Sequence, residues 1–313
     1  MAEALPPQPR PSGPEVFDRR RGECFRETVL GDGLLRLAYA PALRGVSQWL
    51  LFRHALWCRL LGWYADSRCS RRRIRPTIAR LGIDEGEFRD PTASFATFNL
   101  FFTRHLRADA RPFDPAPDRL CSPADCRLLV FPRLAGDTCV PVKGRSFTVA
   151  GLLGPGHAAD AAGFAAGAVA VCRLCPADYH RYHYPLAGRE THHWVVPGAF
   201  NSVHPRALEL GLNVFVENRR QVTLLDLENG GPCAFIEVGA FGVAGIVQTH
   251  ARGPFAKLEE KGFFCFGGST LILVFQAGTV AFDADLSQHS ATGIEVLVRC
   301  GEGIGRVVAA TPS

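Results

Sequence analysis

Residues 261–276 read KGFFCFGGSTLILVFQ, and they place two adjacent glycines between an aromatic run and an apolar run. Phe264 and Phe266 alternate with smaller residues, and residues 271–275 are all apolar, so both flanks predict β-strands. Glycine weakens the interior of a strand by about 0.5–1 kcal/mol relative to alanine. The simplest explanation for the glycine pair is therefore a turn between two strands.

Ser269 and Thr270 follow the glycines and allow a second, chemical interpretation. Because Gly267 and Gly268 have no Cβ atoms, the backbone can adopt unusual dihedral angles that bring the Ser269 hydroxyl close to the preceding carbonyl. This geometry suits an N-to-O acyl shift at the Gly268–Ser269 bond, followed by β-elimination. The products would be a new C terminus at Gly268 and a pyruvoyl group made from Ser269. These four residues alone leave both interpretations open.

The composition indicates a globular protein with reduced cysteines. The 313 residues are 47% hydrophobic and 21% charged, an ordinary balance for one or two globular domains. The net charge of +5 is too sparse to indicate a nucleic-acid partner, and it suits an anionic lipid or a small acidic substrate. Eleven cysteines without a regular spacing favour free thiols and hence a cytoplasmic location.

The N-terminal part is predicted to form a loose arm followed by a helical region. Residues 1–32 begin with a proline-rich, polar stretch that lacks the apolar core of a signal peptide. Within residues 33–94, apolar side chains including Trp49, Phe52 and Trp63 recur at helical spacing, which predicts a helix with a wide apolar face. Charged residues interrupt this helix, so no uncharged run of roughly 18 residues is available to span a bilayer.

A basic cluster follows the apolar helix and suggests how this region contacts lipid. Arginines occupy positions 68, 71, 72, 73 and 75. An apolar helix with tryptophans beside a basic cluster is typical of a surface-lying anchor, so residues 33–94 are predicted to associate peripherally with an anionic membrane. A core helix followed by a solvated basic face is the alternative. A short amphipathic helix is predicted next, over residues 78–88.

Residues 95–313 are predicted to form a β-rich domain. Short apolar runs separated by glycine and proline replace the helical pattern, and prolines 112, 115 and 117 mark the boundary. The predicted strands cover residues 140–142, 168–174, 213–217, 221–227, 235–247 and 270–282. The predicted fold class is α+β, with N-terminal helices packed on, or preceding, a mainly antiparallel β barrel or sandwich.

Asp125, His180 and His183 are the other candidate chemical groups. Asp125 follows a Ser-Pro turn signal in CSPADCRL, where a lone aspartate usually forms an Asx turn. His180 and His183 belong to CPADYHRYHYPLAG, and five of the ten histidines lie between positions 180 and 204. Zinc is the obvious rival explanation for such a cluster. Because the cluster lacks an H-E-x-x-H framing and a carboxylate at metal spacing, no metal site is predicted.

Seven segments of the chain stand out in a fixed order. They are FFTRHLRADARPFDP at 101–115, SPADC at 122–126, DYHRYH at 178–183, PGAFNSVHP at 197–205, FVENRRQV at 215–222, EVGAFGVAGI at 237–246 and KGFFCFGGST at 261–270. Together they resemble the motifs of the phosphatidylserine decarboxylase family, and the resemblance extends from about residue 31 to residue 305. Seven ordered motifs are far more specific than any one of them, so the resemblance favours self-cleavage at the Gly-Gly-Ser-Thr turn.

The resemblance implies a role for each candidate residue. Ser269 would be the self-cleavage residue and the source of a covalent pyruvoyl group, His183 the base that activates it, and Asp125 the group that orients the imidazole. His180 would serve the decarboxylation step. The amine of phosphatidylserine would form a Schiff base with the pyruvoyl carbonyl, which takes up electrons as carbon dioxide leaves and phosphatidylethanolamine forms.

The resemblance also implies partners. Cleavage would divide the chain into fragments 1–268 and 269–313, which would remain together as a heterodimer, and a homo-oligomer stays open. The Trp-rich helix and arginines 71–73 favour phosphatidylserine in an anionic membrane as the substrate. Family relatives that decarboxylate free aromatic amino acids are one alternative. A non-catalytic biotinyl or lipoyl carrier module is another, although Lys257 and Lys261 lack the Met-Lys-Met hairpin of such modules.

Cys126 and Tyr184 are two of the positions that depart from the family motifs. Cys126 stands where the family's SPADG segment has glycine, so the Asp125 loop would be strained if this position requires a positive φ angle. Tyr184 replaces a usual serine after the second histidine. Only the first departure bears on the expected self-cleavage.

Overall fold

The computed structural model describes residues 13–27, 55–134, 140–142, 145–201, 213–240, 245–267 and 269–308. Several sequence predictions fall outside these residues, namely those for Trp49, Phe52, Gly268 and residues 202–205 of the PGAFNSVHP segment. The described residues contain one large sheet of ten strands, two sheets of three strands, a two-stranded hairpin and several short helices.

The strands, numbered along the chain, are β1 (Glu15–Asp18), β2 (Glu23–Arg26), β3 (Arg119–Cys121), β4 (Cys126–Phe131), β5 (Val140–Val142), β6 (Arg145–Phe147), β7 (Ala168–Leu174), β8 (Arg181–His183), β9 (Gly188–Val196), β10 (Arg220–Leu227), β11 (Gly231–Gly239), β12 (Ile246–Gln248), β13 (Pro254–Phe255), β14 (Glu260–Phe264), β15 (Ser269–Phe275), β16 (Val280–Phe282), β17 (Glu295–Val298) and β18 (Gly303–Val307). The large sheet has the order β13-β9-β10-β11-β15-β7-β4-β17-β1-β2. Its pairs are antiparallel except for β1 with β17. The described sheet is therefore open and does not close into a barrel.

The centre of the large sheet is formed by β15 and β7, which pair along their whole lengths. Every residue of these two strands is buried. A strand covered on both faces has no solvent side, which explains why both sequences are mostly apolar without alternation, with Arg173 as the charged exception in β7. The strand predicted over residues 168–174 is confirmed, with the same first and last residues.

Two smaller sheets lie beside the large one and carry the candidate residues. The first has the order β12-β14-β8 and includes His183 at the end of β8. The second has the order β16-β18-β3, and the loop from β3 to β4 contains Asp125. Sheets that pack as layers confirm the α+β class with a sandwich-like body.

The α-helices are α1 (Ala55–Asp66), α2 (Ile74–Leu81), α3 (Phe98–Phe102), α4 (Val149–Leu153), α5 (Ala158–Ala162), α6 (Val214–Glu217) and α7 (Ala284–Ala291). Short 3₁₀ helices occupy Arg68–Arg73, Glu85–Glu87 and Thr92–Ser94. The amide of Phe98 donates to the buried hydroxyl of Ser70 at 2.8 Å, which joins α3 to the first of these 3₁₀ helices.

The helical region has its own small apolar core. It consists of Ile74, Ile78, Phe88, Phe95, Phe98, Phe101 and Phe102, and Phe266 of the glycine-rich turn packs against it. The rings of Phe98 and Phe266 are 5.0 Å apart and meet edge to face. The helices are therefore packed on the β body next to the predicted cleavage site.

The predicted loose arm needs correction. Over residues 15–26 it forms β1 and β2, the last two strands of the large sheet, and Val16 is completely buried. Its charged residues do not leave the segment loose, because they form ion pairs with the body of the protein. Arg19 donates to Asp283 and Asp285 at 2.7 and 2.6 Å. Polar composition predicts a loose segment only when such charges remain in solvent.

Four other predicted elements have different boundaries or types. Residues 213–217, expected as a strand, contain the one-turn helix α6, since an apolar run this short does not distinguish the two. The helix expected over 78–88 ends at Leu81, because Gly82 adopts a left-handed φ of +63°. The strands expected over 235–247 and 270–282 are each two strands, and the second pair is separated by a turn at residues 276–279.

Candidate active site

Ser269 is the first residue of β15, opposite Gly239 of β11 and Leu174 of β7. It is completely buried, and its hydroxyl has no hydrogen-bond partner among the described residues. The hydroxyl of Thr270 is also buried without a hydrogen-bond partner among the described residues. Buried polar groups without partners are rare in folded proteins, and each costs about 1–3 kcal/mol. Such an atom at the start of a core strand makes Ser269 a candidate functional residue.

The turn before Ser269 has the backbone conformation that only glycine adopts easily. Gly267 has a φ angle of +146°, where any side chain would be strained. The amide of the preceding Phe266 donates to Asn99 Oδ1 at 3.0 Å. The approach to Ser269 is thus fixed by α3 on one side and by a glycine conformation on the other.

His183 lies at the end of β8, where its amide donates to the carbonyl of Pro123 at 2.8 Å. This bond attaches the histidine strand to the loop that carries Asp125. Burial lowers the pKa of His183 below its ordinary value, so the imidazole is neutral at pH 7 and is able to accept a proton. No hydrogen bond joins His183 to Ser269 among the described residues.

Asp125 is held by Arg111 and by the backbone of Cys300. Its Oδ1 atom accepts from Arg111 Nε and from the Cys300 amide, both at 2.8 Å. Burial alone would raise the pKa of Asp125, but the Arg111 guanidinium more than offsets this and keeps the carboxylate ionised. Cys300, whose Sγ lies 3.3 Å from His183 Nδ1, occupies the position next to the imidazole. The expected direct contact between Asp125 and His183 is therefore absent from the described residues, and Cys300 connects the two.

The departure at Cys126 causes no backbone strain. Cys126 is buried at the start of β4 and is not among the described residues with a positive φ angle. The turn before it is closed by Ser122, whose hydroxyl donates to the carbonyl of Ala124 at 2.8 Å. The Asp125 loop accommodates the cysteine without a glycine conformation.

His180 is completely buried, and its ring lies on Phe102 with a centroid separation of 3.9 Å. Its Nδ1 atom is 3.0 Å from the carbonyl of Asp178, while Nε2 has no partner among the described residues. Burial lowers the pKa of His180 to about 3, so this imidazole is also neutral at pH 7. Nδ1–H donates to a carbonyl, which leaves Nε2 with an unpaired lone pair.

Phe102 connects His180 to the segment that precedes the predicted cleavage site. The rings of Phe102 and Phe266 are 5.3 Å apart, and the ring of His180 also contacts Phe102. The amide of Phe264 also donates to the His180 carbonyl at 3.0 Å. The structure therefore brings His180 and the turn before Ser269 together around one aromatic ring.

A buried ionic network supports the start of the DYHRYH segment. Arg127 binds the carboxylate of Asp178, and Glu27 from the N-terminal strands binds both Arg127 and Arg173. Burial opposes ionisation of Glu27, yet the two guanidinium groups lower its pKa to about 2. Charges buried this deeply are stable only when they are paired. Glu27 had no sequence signal, because it lies in the segment expected to be loose.

A cleft of about 670 Å³ opens beside this network. Its lining includes Arg104, Arg111, Asp125, Arg127, Asp178 and Tyr179. A second cleft of about 390 Å³ lies in the helical region, between Arg71, Arg72, Arg75 and the Thr92–Ala93 backbone. The larger cleft reaches the Asp125 side of the candidate site.

Helix α1 has one buried face and one exposed apolar face. Cys58 and Ala65 are buried, whereas Leu56 and Trp63 are 57% and 70% exposed. The inner side of the helix thus packs into the protein, while its outer side presents apolar side chains to solvent. None of the described helices is long and apolar enough to cross a membrane.

Comparison with known proteins identifies the family of the chain. The sequence model of the phosphatidylserine decarboxylase family matches residues 98–306. The phosphatidylserine decarboxylase proenzyme of Chlamydia muridarum is 39% identical over 291 residues, covering 92% of this chain and 96% of that protein. The proenzymes of Chlamydia trachomatis serovar D and Chlamydia pneumoniae are each 36% identical, covering 92% and 94% of this chain and 96% and 97% of theirs. The chain belongs to the phosphatidylserine decarboxylase family.

Proposed function

We propose that the chain is a self-processing phosphatidylserine decarboxylase, a carboxy-lyase that converts phosphatidylserine to phosphatidylethanolamine and carbon dioxide. The observation that carries the proposal is the Ser269 hydroxyl, which is buried without a partner among the described residues. It directly follows a turn in which Gly267 has a φ angle of +146°. The family membership and the word proenzyme in the names of the relatives support the same conclusion.

Self-cleavage needs only the chain's own groups and water. Ser269 Oγ attacks the Gly268 carbonyl carbon while His183 takes the hydroxyl proton. The peptide C–N bond breaks, the amine receives the proton, and Gly268 becomes esterified to Ser269. Loss of the Ser269 α-proton then breaks the Cβ–O bond and releases the Gly268 carboxylate. Water converts the remaining dehydroalanine to a pyruvoyl group and ammonia.

The surroundings of Ser269 suit a prosthetic group made in place. The residue sits at the end of a core strand with buried neighbours, so water has little access to its position. A pyruvoyl group there supplies a carbonyl that acts as an electron sink for decarboxylation. We assign His180 to this step, since its unpaired Nε2 is able to accept a proton and return it to the product carbon.

The exposed face of α1 supports a lipid substrate and a peripheral membrane location. Apolar side chains such as Leu60 and Trp63 face solvent on this helix, and the arginine cleft lies in the same region. Anionic headgroups and arginines attract each other at a membrane surface, while exposed aromatic residues enter the headgroup boundary. A decarboxylase of free amino acids would have no use for this combination.

Intact mass measurement of the purified chain tests the proposal. We expect a fragment of residues 1–268 and a pyruvoyl-blocked fragment of residues 269–313, whereas Ser269→Ala should remain uncut. Recovery of only intact, unblocked chain from an active preparation would contradict the mechanism. A substrate panel follows, in which carbon dioxide should be released from phosphatidylserine and not from free aromatic amino acids.

A further inference from the structure

Cys300 is the meeting point of three groups in the candidate active site. Its amide donates to Asp125 Oδ1 at 2.8 Å, and its Sγ lies 3.3 Å from His183 Nδ1. The same sulfur donates to the carbonyl of Pro123 at 3.7 Å. Cys300 is only 2% exposed, so these contacts form away from solvent.

Only one placement of the protons makes both contacts of the sulfur hydrogen bonds, because the Pro123 carbonyl can only accept. Burial raises the pKa of Cys300 well above its ordinary value, so the residue remains a thiol with one hydrogen. When that hydrogen is donated to Pro123, the sulfur is left as an acceptor. His183 must then carry its ring proton on Nδ1 and donate it to the sulfur.

We infer that Cys300 is a positioning residue that holds His183 in the Nδ1–H tautomer. This tautomer leaves the Nε2 lone pair free, which is the form that a base for the Ser269 hydroxyl requires. The catalytic meaning of the inference rests on the proposed function. The tautomer itself does not depend on it.

Asp125 acts on His183 through this residue. Both carboxylate oxygens of Asp125 are engaged by Arg111, and one also accepts the Cys300 amide, so the carboxylate fixes the backbone of Cys300. His183 is attached to the same loop through the carbonyl of Pro123. In the usual acid–histidine–serine arrangement a carboxylate contacts the imidazole directly. Here a thiol supplies the contact, and the carboxylate places the thiol.

The first experiment observes the tautomer without requiring cleavage. In full-length Ser269→Ala proenzyme, nitrogen NMR of labelled histidines, with His183→Gln for assignment, identifies which ring nitrogen of His183 carries the proton. We expect Nδ1–H with Cys300 and with Cys300→Ser, whose hydroxyl can also donate and accept. We expect a mixture of tautomers in Cys300→Ala. An Nε2–H ring in the parent, or no change in Cys300→Ala, would overturn the inference.

The second experiment measures the rate of self-cleavage. A neutral hydrogen bond of this kind shifts an equilibrium by roughly two- to tenfold, so Cys300→Ala should mature slower by about that factor. Cys300→Ser should restore most of the rate. Cys233→Ala is the matched control, because Cys233 is an equally buried free cysteine in β11. Equal rates for Cys300→Ala and Cys233→Ala, or equal slowing by Ala and Ser at position 300, would contradict the inference.

The two experiments separate failure of this inference from failure of the proposed function. If the parent chain does not cleave itself, the rates are uninformative, but the NMR measurement still decides whether Cys300 sets the tautomer. If the chain cleaves itself and the tautomer is independent of Cys300, the proposed function stands and the role of Cys300 is wrong.

Discussion

A hydroxyl buried without a hydrogen-bond partner destabilises a fold by about 1–3 kcal/mol, and among the described residues Ser269 and Thr270 place two of them at the start of β15. Both candidate histidines are neutral, His180 completely buried and His183 partly buried, with their pKa values lowered by loss of solvent. Neutral imidazoles are the form that accepts protons. At the scale of single residues, the site therefore combines an unpaired nucleophile with groups that are ready to act as bases.

The two histidines are expected to respond differently to mutation. His183→Ala should block or slow self-cleavage, because it removes the proposed base for Ser269. His180→Ala should still be cut, and it should decarboxylate about 10²–10⁴-fold more slowly, the usual contribution of a general acid–base group. Gel analysis of cleavage and carbon dioxide release from phosphatidylserine measure the two steps separately. Normal maturation of His183→Ala would show that its assignment is wrong.

The rate of self-cleavage should have an acid limb below pH 6.5. The pKa of His183 is lowered from 6.5 by burial, so the neutral base is already present at that pH and is lost only in more acidic solution. A cleavage time course between pH 4 and pH 8 would locate the midpoint, with protein folding followed by circular dichroism as the control. A midpoint above pH 6.5 would contradict the burial argument.

At the scale of elements, the sequence predicts best where one physical signal dominates. The strand at 168–174 was predicted because both of its faces are buried and all of its residues except Arg173 are apolar. The N-terminal strands were missed because their stability depends on distant partners, such as Arg127 and Arg173 for Glu27. The candidate residues Asp125, His180, His183 and Ser269 came from motifs. Cys300 has no motif, and only its contacts reveal it.

The arginines beside α1 are expected to bind anionic membranes. Replacing arginines 71, 72 and 73 with glutamine should weaken binding to phosphatidylserine vesicles, since each basic residue near an anionic surface contributes about 1 kcal/mol. The effect should be largest at low salt, because the attraction is screened over a Debye length. Co-sedimentation at low and high salt measures it, and self-cleavage should be unchanged.

The control removes the same charge elsewhere. Arg133, Arg252 and Arg306 are exposed in the β body, and their replacement with glutamine should leave vesicle binding intact. Equal loss in the two triple variants would mean that only net charge matters. Equal binding to neutral and anionic vesicles would remove the electrostatic argument, and absence of binding would bring the soluble amino-acid substrate back into contention.

At the scale of the whole molecule, the two predicted fragments share one sheet. The 269–313 fragment contributes β15, which pairs with β11 and β7, and β17, which pairs with β4 and β1. Leu271, Ile272, Leu273, Val274 and Phe275 are completely buried. Burying one such side chain stabilises by about 1.5–3 kcal/mol. The cleaved fragments are therefore expected to remain together through gel filtration and to separate only in denaturant. Dissociation in native buffer would contradict the heterodimer.

The central position of β15 also requires that folding precede cleavage. Ser269 becomes a buried residue beside its partners only when strands from both sides of the cleavage point have assembled, so a misfolded chain would not acquire the reactive group. Once the bond is cut, refolding changes from a one-chain process to an encounter between two chains. The uncut Ser269→Ala protein should then recover from denaturant at any dilution, whereas the mature protein should recover less as it is diluted. Cleavage is thus expected only in chains that have folded, and each chain undergoes it once.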